Sequence, residues 1–361
     1  MTKKITIMVT GVGGGGHGEQ ILKALRLAPT NYEIVGADTS ACSKGLKEVD
    51  HPYLLPPASD PEYISFLLKI CKKHDVRAVF HGSEPELKVM SEERDKILAA
   101  GIFLPINPTN VIDVCMDKYK TMNFLMQNGY AHPQTVRITR LEEIRRLDFL
   151  PAVLKPSVGG GGSFNTFLAQ TKKELRLFSE YLLAYHNAFM VQEYVGTPDS
   201  EYTIGVLFSM DGQLINSIAV RRDILSGLSN RMKVRNLTGK VSLGPILAIS
   251  SGVSQGEIGR FREVTGPCEE IAVRLGCRGP VNMQCRLVNG KVYIFEINPR
   301  FSGTTSLRAM VGCNEPDILI RKHVLRENIE PRFAYKEGII IRGLQETFVE
   351  NTDRFLKGDV P

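Results

Sequence analysis

The sequence predicts an α/β domain followed by an α+β region. Over about the first 110 residues, short apolar runs alternate with helix-like segments, which is typical of a parallel, doubly wound sheet. Beyond that point, strand-like runs follow one another across tight turns such as Asp211-Gly212 and Asn289-Gly290, which favour antiparallel hairpins. With 361 residues, the chain is long enough for two or three packed units.

The first region predicts strands and helices in alternation. A loop that is nearly all glycine, Gly11–Gly16, joins the first predicted strand to the first helix. In doubly wound sheets, ligands bind at the carboxyl ends of the strands, where this loop and the segment 81–84 would lie. The predicted strands are 5–10, 33–37 and 76–80, and the predicted helices are 17–28, one that opens at Asp60, and 84–100.

The second region predicts one helix ahead of a series of strands. This helix begins at Asp117 and ends at Gly129, since glycine commonly terminates helices. From about residue 326, the pattern predicts a short strand or two and a tail. The strands between them are predicted at 152–155, 164–169, 189–195, 201–209, 213–221, 279–288 and 291–297.

Composition narrows the classes of protein that the chain could belong to. The formal charge of +6 is small for this length and the basic residues are spread out, so nucleic acid binding is not predicted. Because no run of about 18 apolar residues occurs, we expect no membrane span and a cytoplasmic protein. Seven cysteines lie scattered without Cys-x-x-Cys spacing, which predicts neither a disulfide framework nor a zinc site.

One predicted hairpin carries the most informative polar pattern. Gln284 lies in its first strand, and Glu296 and Asn298 alternate along its second, so these side chains are expected on one face of a sheet. Pro299 ends the second strand and leaves Arg300 free to face a ligand. Such oxygen ligands beside an arginine are typical of a magnesium and phosphate site. The alternative is an edge hairpin whose polar face is solvated.

The N-terminal glycine loop satisfies the G-x-G-x-x-G pattern between a strand and a helix, with Asp38 at the end of the next strand. This pattern is typical of a dinucleotide-binding domain. Six residues that are nearly all glycine match many glycine patterns, however. We therefore favour the alternative, a tight turn in a domain that binds another ligand or none.

A second glycine loop follows Lys155, which ends an apolar strand. Backbone N–H groups of such a loop, here Gly159–Gly162, can cover phosphate oxygens while the lysine neutralises their charge. Further along, the strand 190–195 leads into a loop before Glu201. This connection could offer backbone groups to an adenine edge, and Glu193 or Glu201 to ribose hydroxyls. The alternatives are a mobile hairpin and surface glutamates.

Taken in order, these motifs resemble the ATP-grasp superfamily, and most closely its carbamoyl-phosphate-synthase-like members. The resemblance rests above all on Asn282-x-Gln284 and on Glu-Ile-Asn-Pro-Arg-Phe-Ser-Gly at 296–303. It implies a Rossmann-like pre-ATP-grasp domain followed by an ATP-grasp fold. The implied units are 1–112 for the first domain, 113–325 for the grasp domain with a small lid subdomain at 113–195 and a large subdomain at 196–325, and 326–361 for a C-terminal strand and tail.

The resemblance also implies a role for each matching residue. The ATP phosphates would be held by Lys118 and Lys155 under a loop of Gly159, Gly160, Gly161 and Gly162. The adenine would lie at Glu193, Tyr194 and Val195, and the ribose at Glu201. One or two Mg²⁺ ions, which Mn²⁺ could replace, would be held by Gln284, Glu296 and Asn298. The transferred phosphate and the acyl phosphate would face Asn282, Arg300 and Arg222.

Two departures from the family pattern limit what the resemblance implies. Gln284 stands where many members have an acidic ligand, and a carboxamide leaves the site less negative for a second metal. The chain has only one grasp module, so it is not expected to be a complete carbamoyl phosphate synthase.

The resemblance predicts an ATP- and Mg²⁺-dependent carboxylate–amine (or thiol) ligase that forms a C–N bond through an acyl phosphate and releases ADP and phosphate. Small-molecule acid and amine substrates are its expected partners, and a homodimer is left open. The substrates would lie between the two domains, near His17, His81, Ser83 and Glu84, where His81 could deprotonate the amine. The alternatives are an NAD-dependent oxidoreductase that uses the first glycine loop and a non-catalytic ATP-binding module.

Overall fold

The computed structural model describes residues 4–159 and 163–346, and its first domain is built on a parallel sheet. The strands are β1 (Ile5–Thr10), β2 (Tyr32–Asp38), β3 (His51–Leu54) and β4 (Ala78–Phe80). The helices are α1 (His17–Arg26), α2 (Tyr63–Lys73), α3 (Glu84–Glu92) and α4 (Arg94–Ala99). The strand order is β3-β2-β1-β4 with every pairing parallel, and apolar clusters cover both faces of the sheet, as predicted.

Three elements of this domain differ from the predicted ones. The strand β3 was not predicted, because it has only four residues and contains Pro52. The helix expected from Asp60 begins at Tyr63, since Asp60 Oδ1 accepts a hydrogen bond from Glu62 N at 2.8 Å in the turn before it. The helix expected over 84–100 is divided into α3 and α4 at Glu93, whose φ of −102° and ψ of 20° are not helical.

A small antiparallel sheet opens the second region. Its strands, in spatial order, are β5 (Thr135–Ile138), β8 (Phe189–Glu193), β6 (Ala152–Pro156) and β7 (Phe167–Ala169). The helix α7 (Lys172–Tyr185) begins with a capping box between Thr171 and Glu174 and packs on this sheet through Leu175 and Leu182. The sheet and its helix form a separate layer with an apolar core of their own.

A larger sheet of six strands forms the body of the second region. In spatial order, its strands are β15 (Lys291–Asn298), β14 (Pro280–Val288), β9 (Glu201–Phe208), β10 (Leu214–Arg222), β13 (Gly256–Gly259) and β16 (Gly338–Ile340). A separate two-stranded sheet pairs β11 (Asn230–Arg235) with β12 (Ile246–Ser250). The remaining helices are α8 (Arg262–Leu275), α9 (Thr305–Met310) and α10 (Glu315–His323).

The helices that lead into the second region pack on the large sheet. They are α5 (Thr109–Met116) and α6 (Lys118–Gln127), and their buried side chains join the apolar core under β9, β14 and β15. The small sheet and α7 span residues 135–193. The sequence predicted α6 but not α5, and the surface that α6 covers depends partly on contacts with β9, β14 and β15, which lie about 75 residues or more away.

The described part of the C-terminal segment completes the large sheet. The strand β16 pairs antiparallel with β13, where Ile340 lies opposite Gly256. Arg332 N also donates to Ile215 O at 2.9 Å, and Lys336 N donates to Val311 O at 2.8 Å. The segment predicted as a strand and tail after 325 thus contributes an edge strand to the grasp domain.

The first domain docks on the second through buried polar contacts. Helix α1 packs on α9 and α10, and Asn314 Nδ2 donates to Ala24 O at 2.7 Å. Tyr32 Oη donates to Asp317 Oδ1 at 2.7 Å. Within residues 4–159 and 163–346, none of the helices combines the length and the hydropathy that crossing a bilayer would require.

The side chain of Asn107 makes three hydrogen bonds at the connection between the domains. Its side chain is fully buried, and Nδ2 donates to Pro280 O at 2.7 Å and to Pro299 O at 3.1 Å. Its Oδ1 accepts from Arg278 N at 2.9 Å. The amide therefore fixes the start of β14 and the end of β15 against the first domain.

We expect Asn107→Ala to destabilise the protein by about 2–4 kcal/mol, because it leaves a buried N–H and buried carbonyls without partners. Urea unfolding followed by circular dichroism measures this change. The matched control is Asn110→Ala at an exposed position of α5, which should change the free energy of unfolding little. Equal stabilities for the two variants would contradict the connecting role of Asn107.

Candidate active site

The predicted hairpin of β14 and β15 brings the expected polar side chains together. Gln284 lies opposite Glu296, and Asn282 lies opposite Asn298, so the three predicted side chains share one face and Asn282 joins them. Gln284 Nε2 donates to Glu296 Oε2 at 2.9 Å. A β-bulge at Phe295 interrupts the register after this pair. The apolar side chains of β15 on either side of the bulge therefore both face the core.

Two lysines reach this face from different elements. Lys118 is the first residue of α6, and its Nζ lies 3.5 Å from Glu296 Oε1. Asp117 caps that helix by accepting from Tyr119 N at 2.9 Å, and it also accepts from Ser157 Oγ at 2.6 Å. The cap therefore ties Lys118 to the loop that follows β6.

Lys155 is almost completely buried at the end of β6. Its Nζ donates to Phe295 O at 3.2 Å. Burial lowers the pKa of its ammonium group to about 8, because Glu296 only partly offsets the desolvation. A lysine that is charged and poorly solvated at neutral pH is well suited to binding phosphate oxygens. The neighbouring Gly159 is described, whereas Gly160, Gly161 and Gly162 lie outside the described residues.

These residues line a cleft of about 640 Å³ between the small and large sheets. Of the predicted site residues, its walls contain Lys118, Lys155, Glu193, Tyr194, Val195, Glu201, Gln284 and Glu296. The two sheets therefore bring together residues that are up to about 180 positions apart in the sequence.

The segment that follows β8 forms one end of the cleft. Glu193 N donates to Gln134 O at 2.8 Å and Tyr194 N donates to Pro151 O at 3.1 Å, which anchors the segment to the small sheet. Among the described residues, Val195 N has no hydrogen-bond acceptor. Gly196 then turns with a φ of +66°, where a Cβ would lie 2.6 Å from Val288 Cγ2. Val195 N is thus available to an adenine edge.

Glu201, expected at the ribose, lies in the wall of this cleft but is held by two arginines. Its Oε1 accepts from Arg222 Nη1 at 3.0 Å, and its Oε2 accepts from Arg286 Nη2 at 3.0 Å. All three side chains are buried. Sequence reasoning missed Arg286, although it follows Asn282 and Gln284 at the alternating positions that face the site.

A second, polar cavity of about 520 Å³ adjoins the cleft. The two cavities share Ser163, Gln284 and Glu296. The remaining walls of the second cavity come from Thr203, Arg222, Ser251, Gly252, Ser254, Asn282, Asn298, Arg300, Ser302 and Gly303. All the residues predicted to hold metal or to face the transferred phosphate therefore lie in this cavity.

Arg300 joins this cavity to the first domain. Its Nη2 donates to Glu84 Oε1 at 3.0 Å and to Asn298 Oδ1 at 3.1 Å. Burial raises the pKa of the Glu84 carboxyl, but Arg300 and Lys118 more than offset this and leave it below its usual range. Glu84, which was expected near the substrates, is thus an ionised partner that fixes the guanidinium.

Asn282 depends on an arginine that the sequence analysis did not identify. Its Oδ1 accepts from Arg308 Nη2 at 2.7 Å and from Thr203 Oγ1 at 3.0 Å. Arg308 is almost fully buried and pairs with Glu315 at 3.0 Å. Arg308 lies on α9, outside the strands that carry the motif, so its contact with Asn282 depends on how this helix packs on the sheet.

His17 and His81 lie side by side near Arg300, with His17 Nε2 at 3.2 Å from His81 Nδ1. Burial lowers the pKa of His17 well below its usual value and that of His81 to about 4, although a hydrogen bond to Ser83 O opposes the second shift. Arg300 lowers both further. An imidazole this weakly basic is a poor proton acceptor, which disfavours the expected role of His81 as the base.

The first glycine loop is hydrogen-bonded to Asp38, the last residue of β2. Asp38 Oδ2 accepts from Gly13 N at 2.9 Å, and its Oδ1 accepts from Ser40 N at 3.1 Å. A Cβ on Gly13 would lie 2.3 Å from Ser43 Oγ, so the loop is tightly packed there. Since a dinucleotide site needs this carboxylate for ribose hydroxyls, the arrangement weighs against NAD binding.

The donors around Glu296 suit a magnesium ion that is shared with phosphate. In the part of the chain that the structure describes, no group of three or more histidine, cysteine, aspartate or glutamate side chains could hold a metal. Glu296 could supply one carboxylate, and Gln284 and Asn298 could supply carboxamide oxygens, which here accept hydrogen bonds from Arg222 and Arg300. Magnesium is commonly held by one or two carboxylates with the rest of its ligands from water and substrate phosphates, so these residues fit it.

Comparison with known proteins decides the family. A family model described as "ATP-grasp domain" matches residues 115–304, more than half of the chain. The chain belongs to the ATP-grasp superfamily. A second model, "PylC-like, N-terminal domain", matches residues 7–105. The resemblance found in the sequence is thereby confirmed.

Curated relatives are similar over parts of their length. The carbamoyl phosphate synthase large chain of Thermoplasma volcanium is 24% identical over 289 residues, which cover 78% of this chain and 26% of that protein. The D-alanine–D-alanine ligase A of Bacillus cereus is 26% identical over 124 residues, covering 33% and 39%. The chain thus spans about a quarter of the length of the synthase chain that it matches.

Solved ATP-grasp structures share the fold. An ADP complex of N5-carboxyaminoimidazole ribonucleotide synthetase has a TM-score of 0.63 at 15% identity and covers 92% of this chain and 81% of its own. The L-amino acid ligase from Bacillus licheniformis has a TM-score of 0.62 at 17% identity, covering 89% and 74%. The predicted arrangement of a Rossmann-like domain before an ATP-grasp fold is confirmed.

The histidine pair should make stability depend on pH. Because both imidazoles are neutral when folded but protonate below about pH 6.5 when unfolded, the unfolded chain binds more protons between about pH 6.5 and 4. The free energy of unfolding should therefore fall as pH falls, by up to about 1.4 kcal/mol per pH unit for each histidine. Denaturant titrations from pH 7.5 to 5 measure this, and His81→Asn should reduce the slope. An unchanged slope would contradict the assignment.

Proposed function

We propose that this ATP-grasp protein is an ATP- and Mg²⁺-dependent ligase that joins a carboxylate to an amine through an acyl phosphate. The observation that carries the proposal is the meeting of two cavities at Gln284 and Glu296. The larger cleft suits the nucleotide, and the polar cavity suits the acid. The γ-phosphate would then lie at the junction, between the leaving ADP and the attacking carboxylate.

The nucleotide would lie along the larger cleft with its adenine at the segment 193–195. Val195 N would donate to the base, and Lys118 and Lys155 would neutralise the phosphates. Glu296, Gln284 and Asn298 would hold the magnesium, which when bound offsets phosphate charge in the transition state. Phosphoryl transfer needs positioning and charge stabilisation more than a protein nucleophile, and this set of residues supplies both.

The acid would bind in the polar cavity beside Arg222 and Arg300. Its carboxylate would attack the γ-phosphorus, ADP would leave, and the two guanidinium groups would stabilise the acyl phosphate. An amine would then attack the carbonyl carbon to give an amide and inorganic phosphate. The serine and glycine walls of this cavity favour a small, polar acid over a long aliphatic one.

Two observations distinguish this proposal from its alternatives. In an oxidoreductase Asp38 would bind ribose hydroxyls, whereas here its oxygens hold the backbone N–H groups of Gly13 and Ser40. A non-catalytic ATP-binding module has no need of a second polar cavity beside the phosphate end of the cleft. A thiol could replace the amine as the acceptor, since it attacks the same acyl phosphate.

The proposal is tested by nucleotide binding and by ADP release. We expect ATP with Mg²⁺ to raise the melting temperature, and NAD to leave it unchanged. A screen of amino acids and small hydroxy or sugar acids, paired with amines, should then find a pair that releases ADP and phosphate in equal amounts. ATP binding without release by any pair would favour the non-catalytic module.

Glu296→Gln should abolish most of the magnesium dependence of ADP binding. The substitution keeps the shape of the side chain but removes the only carboxylate among the three predicted metal ligands, Gln284, Glu296 and Asn298. We expect the ratio of Kd for ADP without and with Mg²⁺ to fall by at least about tenfold, toward one. Isothermal titration calorimetry measures both constants.

The matched control is Glu92→Gln, the same change at an exposed position of α3. It should leave the ratio at the wild-type value. If Glu296→Gln binds ADP with the wild-type magnesium dependence, the metal site described above is wrong.

A further inference from the structure

Resting on the proposed function, we infer that Arg286 is a positioning residue for the adenine end of the nucleotide cleft. Arg286 lies on β14, two positions after Gln284, and its side chain is almost completely buried. It lines the cleft, yet its N–H groups point to protein acceptors. The residue therefore acts through the groups that it holds in place.

The guanidinium of Arg286 joins three separate segments around the cleft. Its Nη1 donates to Val195 O at 3.0 Å and to Gly196 O at 3.4 Å, in the segment after β8. Its Nη2 donates to Ala248 O at 3.0 Å on β12. Its Nε and Nη2 donate to Glu201 Oε2 at 3.2 and 3.0 Å on β9. A planar group with five N–H donors is well suited to such convergent recognition.

Tyr194 reinforces the same connection. Its ring centroid lies 4.3 Å from Arg286 Cζ, within range of a cation–π interaction. Its Oη accepts from Ala248 N at 2.9 Å and donates to Ala248 O at 3.3 Å. The arginine and the tyrosine together hold the two-stranded sheet of β11 and β12 against the segment 194–196.

This arrangement determines which backbone groups face the nucleotide. The carbonyls of Val195 and Gly196 accept hydrogen bonds from Arg286, which fixes the backbone that directly follows Val195 N. Ala248, Ile249 and Ser250 line the other wall of the cleft, and β12 is held in place through Ala248 O. Without Arg286, the segment 194–196 and β12, which would enclose the adenine, are no longer held together by one side chain.

Glu201 couples this end of the cleft to the phosphate end. Its second oxygen binds Arg222, whose Nη1 also donates to Ser250 Oγ at 2.8 Å and to Gln284 Oε1 at 3.4 Å. Arg222 remains paired with Glu201 when Arg286 is replaced. The loss should therefore fall on base recognition and leave the phosphate contacts intact.

Arg286→Met tests the inference, because methionine fills similar space without donating hydrogen bonds. We expect the Kd for MgADP to rise about tenfold, the equivalent of one or two lost hydrogen bonds. We also expect the preference for MgADP over MgGDP to decline toward one, since the segment 194–196 would no longer present a fixed edge to the base. Titration calorimetry with the full chain measures both nucleotides.

Two further variants separate positioning from a general loss of structure. Arg286→Lys keeps a positive charge beside Glu201 but lacks the planar guanidinium group that binds several acceptors at once. This variant should therefore fold and still discriminate poorly between the bases. Arg221→Met, at an exposed position of β10 whose side chain pairs with Glu257, should leave the Kd values for MgADP and MgGDP at the wild-type values.

The outcomes distinguish this inference from the proposed function. Wild-type affinity and base preference in both Arg286 variants would overturn the positioning role while leaving nucleotide binding established. Failure of the wild-type chain to bind MgADP would overturn the proposed function, and the inference with it. A parallel loss of MgADP and magnesium tripolyphosphate binding in Arg286→Lys would show a general disruption and overturn the inference as well.

Discussion

The ion pair of Glu201 with Arg222 and Arg286 is the interaction on which the rest of the site depends. A buried carboxylate and two buried guanidinium groups are stable only if most of their hydrogen bonds are made, and here backbone carbonyls and the Ser250 hydroxyl supply most of the remaining acceptors, although Arg222 Nε has no partner among the described residues. One carboxylate cannot neutralise two arginines. The excess positive charge remains at the centre of the large sheet, where it favours a polyanionic ligand.

The local parts of this arrangement could be predicted from the sequence. The Asn-Gly turn and the two-residue period of β14 and β15 predicted that Gln284, Glu296 and Asn298 would share a face, because turn chemistry and side-chain alternation act over a few residues. Arg286 follows the same period. Its significance was missed because its partner Glu201 lies 85 positions earlier, and only the pairing of β14 with β9 brings them together.

Features that depend on tertiary packing could not be predicted from local sequence patterns. The sequence indicated helix α6, but not that its buried side chains join the apolar core under the large sheet. The weak basicity of His81 is likewise a property of its burial beside Arg300, which no local pattern encodes. The sequence indicated a strand after residue 325, but not that it would pair with β13, about 80 positions earlier, and form the edge of the large sheet.

The contact between Glu84 and Arg300 links the first domain to the polar cavity of the second domain. Every residue that would touch the nucleotide follows position 117, whereas the arginine of the acid cavity is oriented by a side chain of the first domain. Changes in the first domain can therefore reshape the acid and acceptor pocket without disturbing the nucleotide half. The same nucleotide-binding region could then serve different acids in proteins whose first domains differ in sequence.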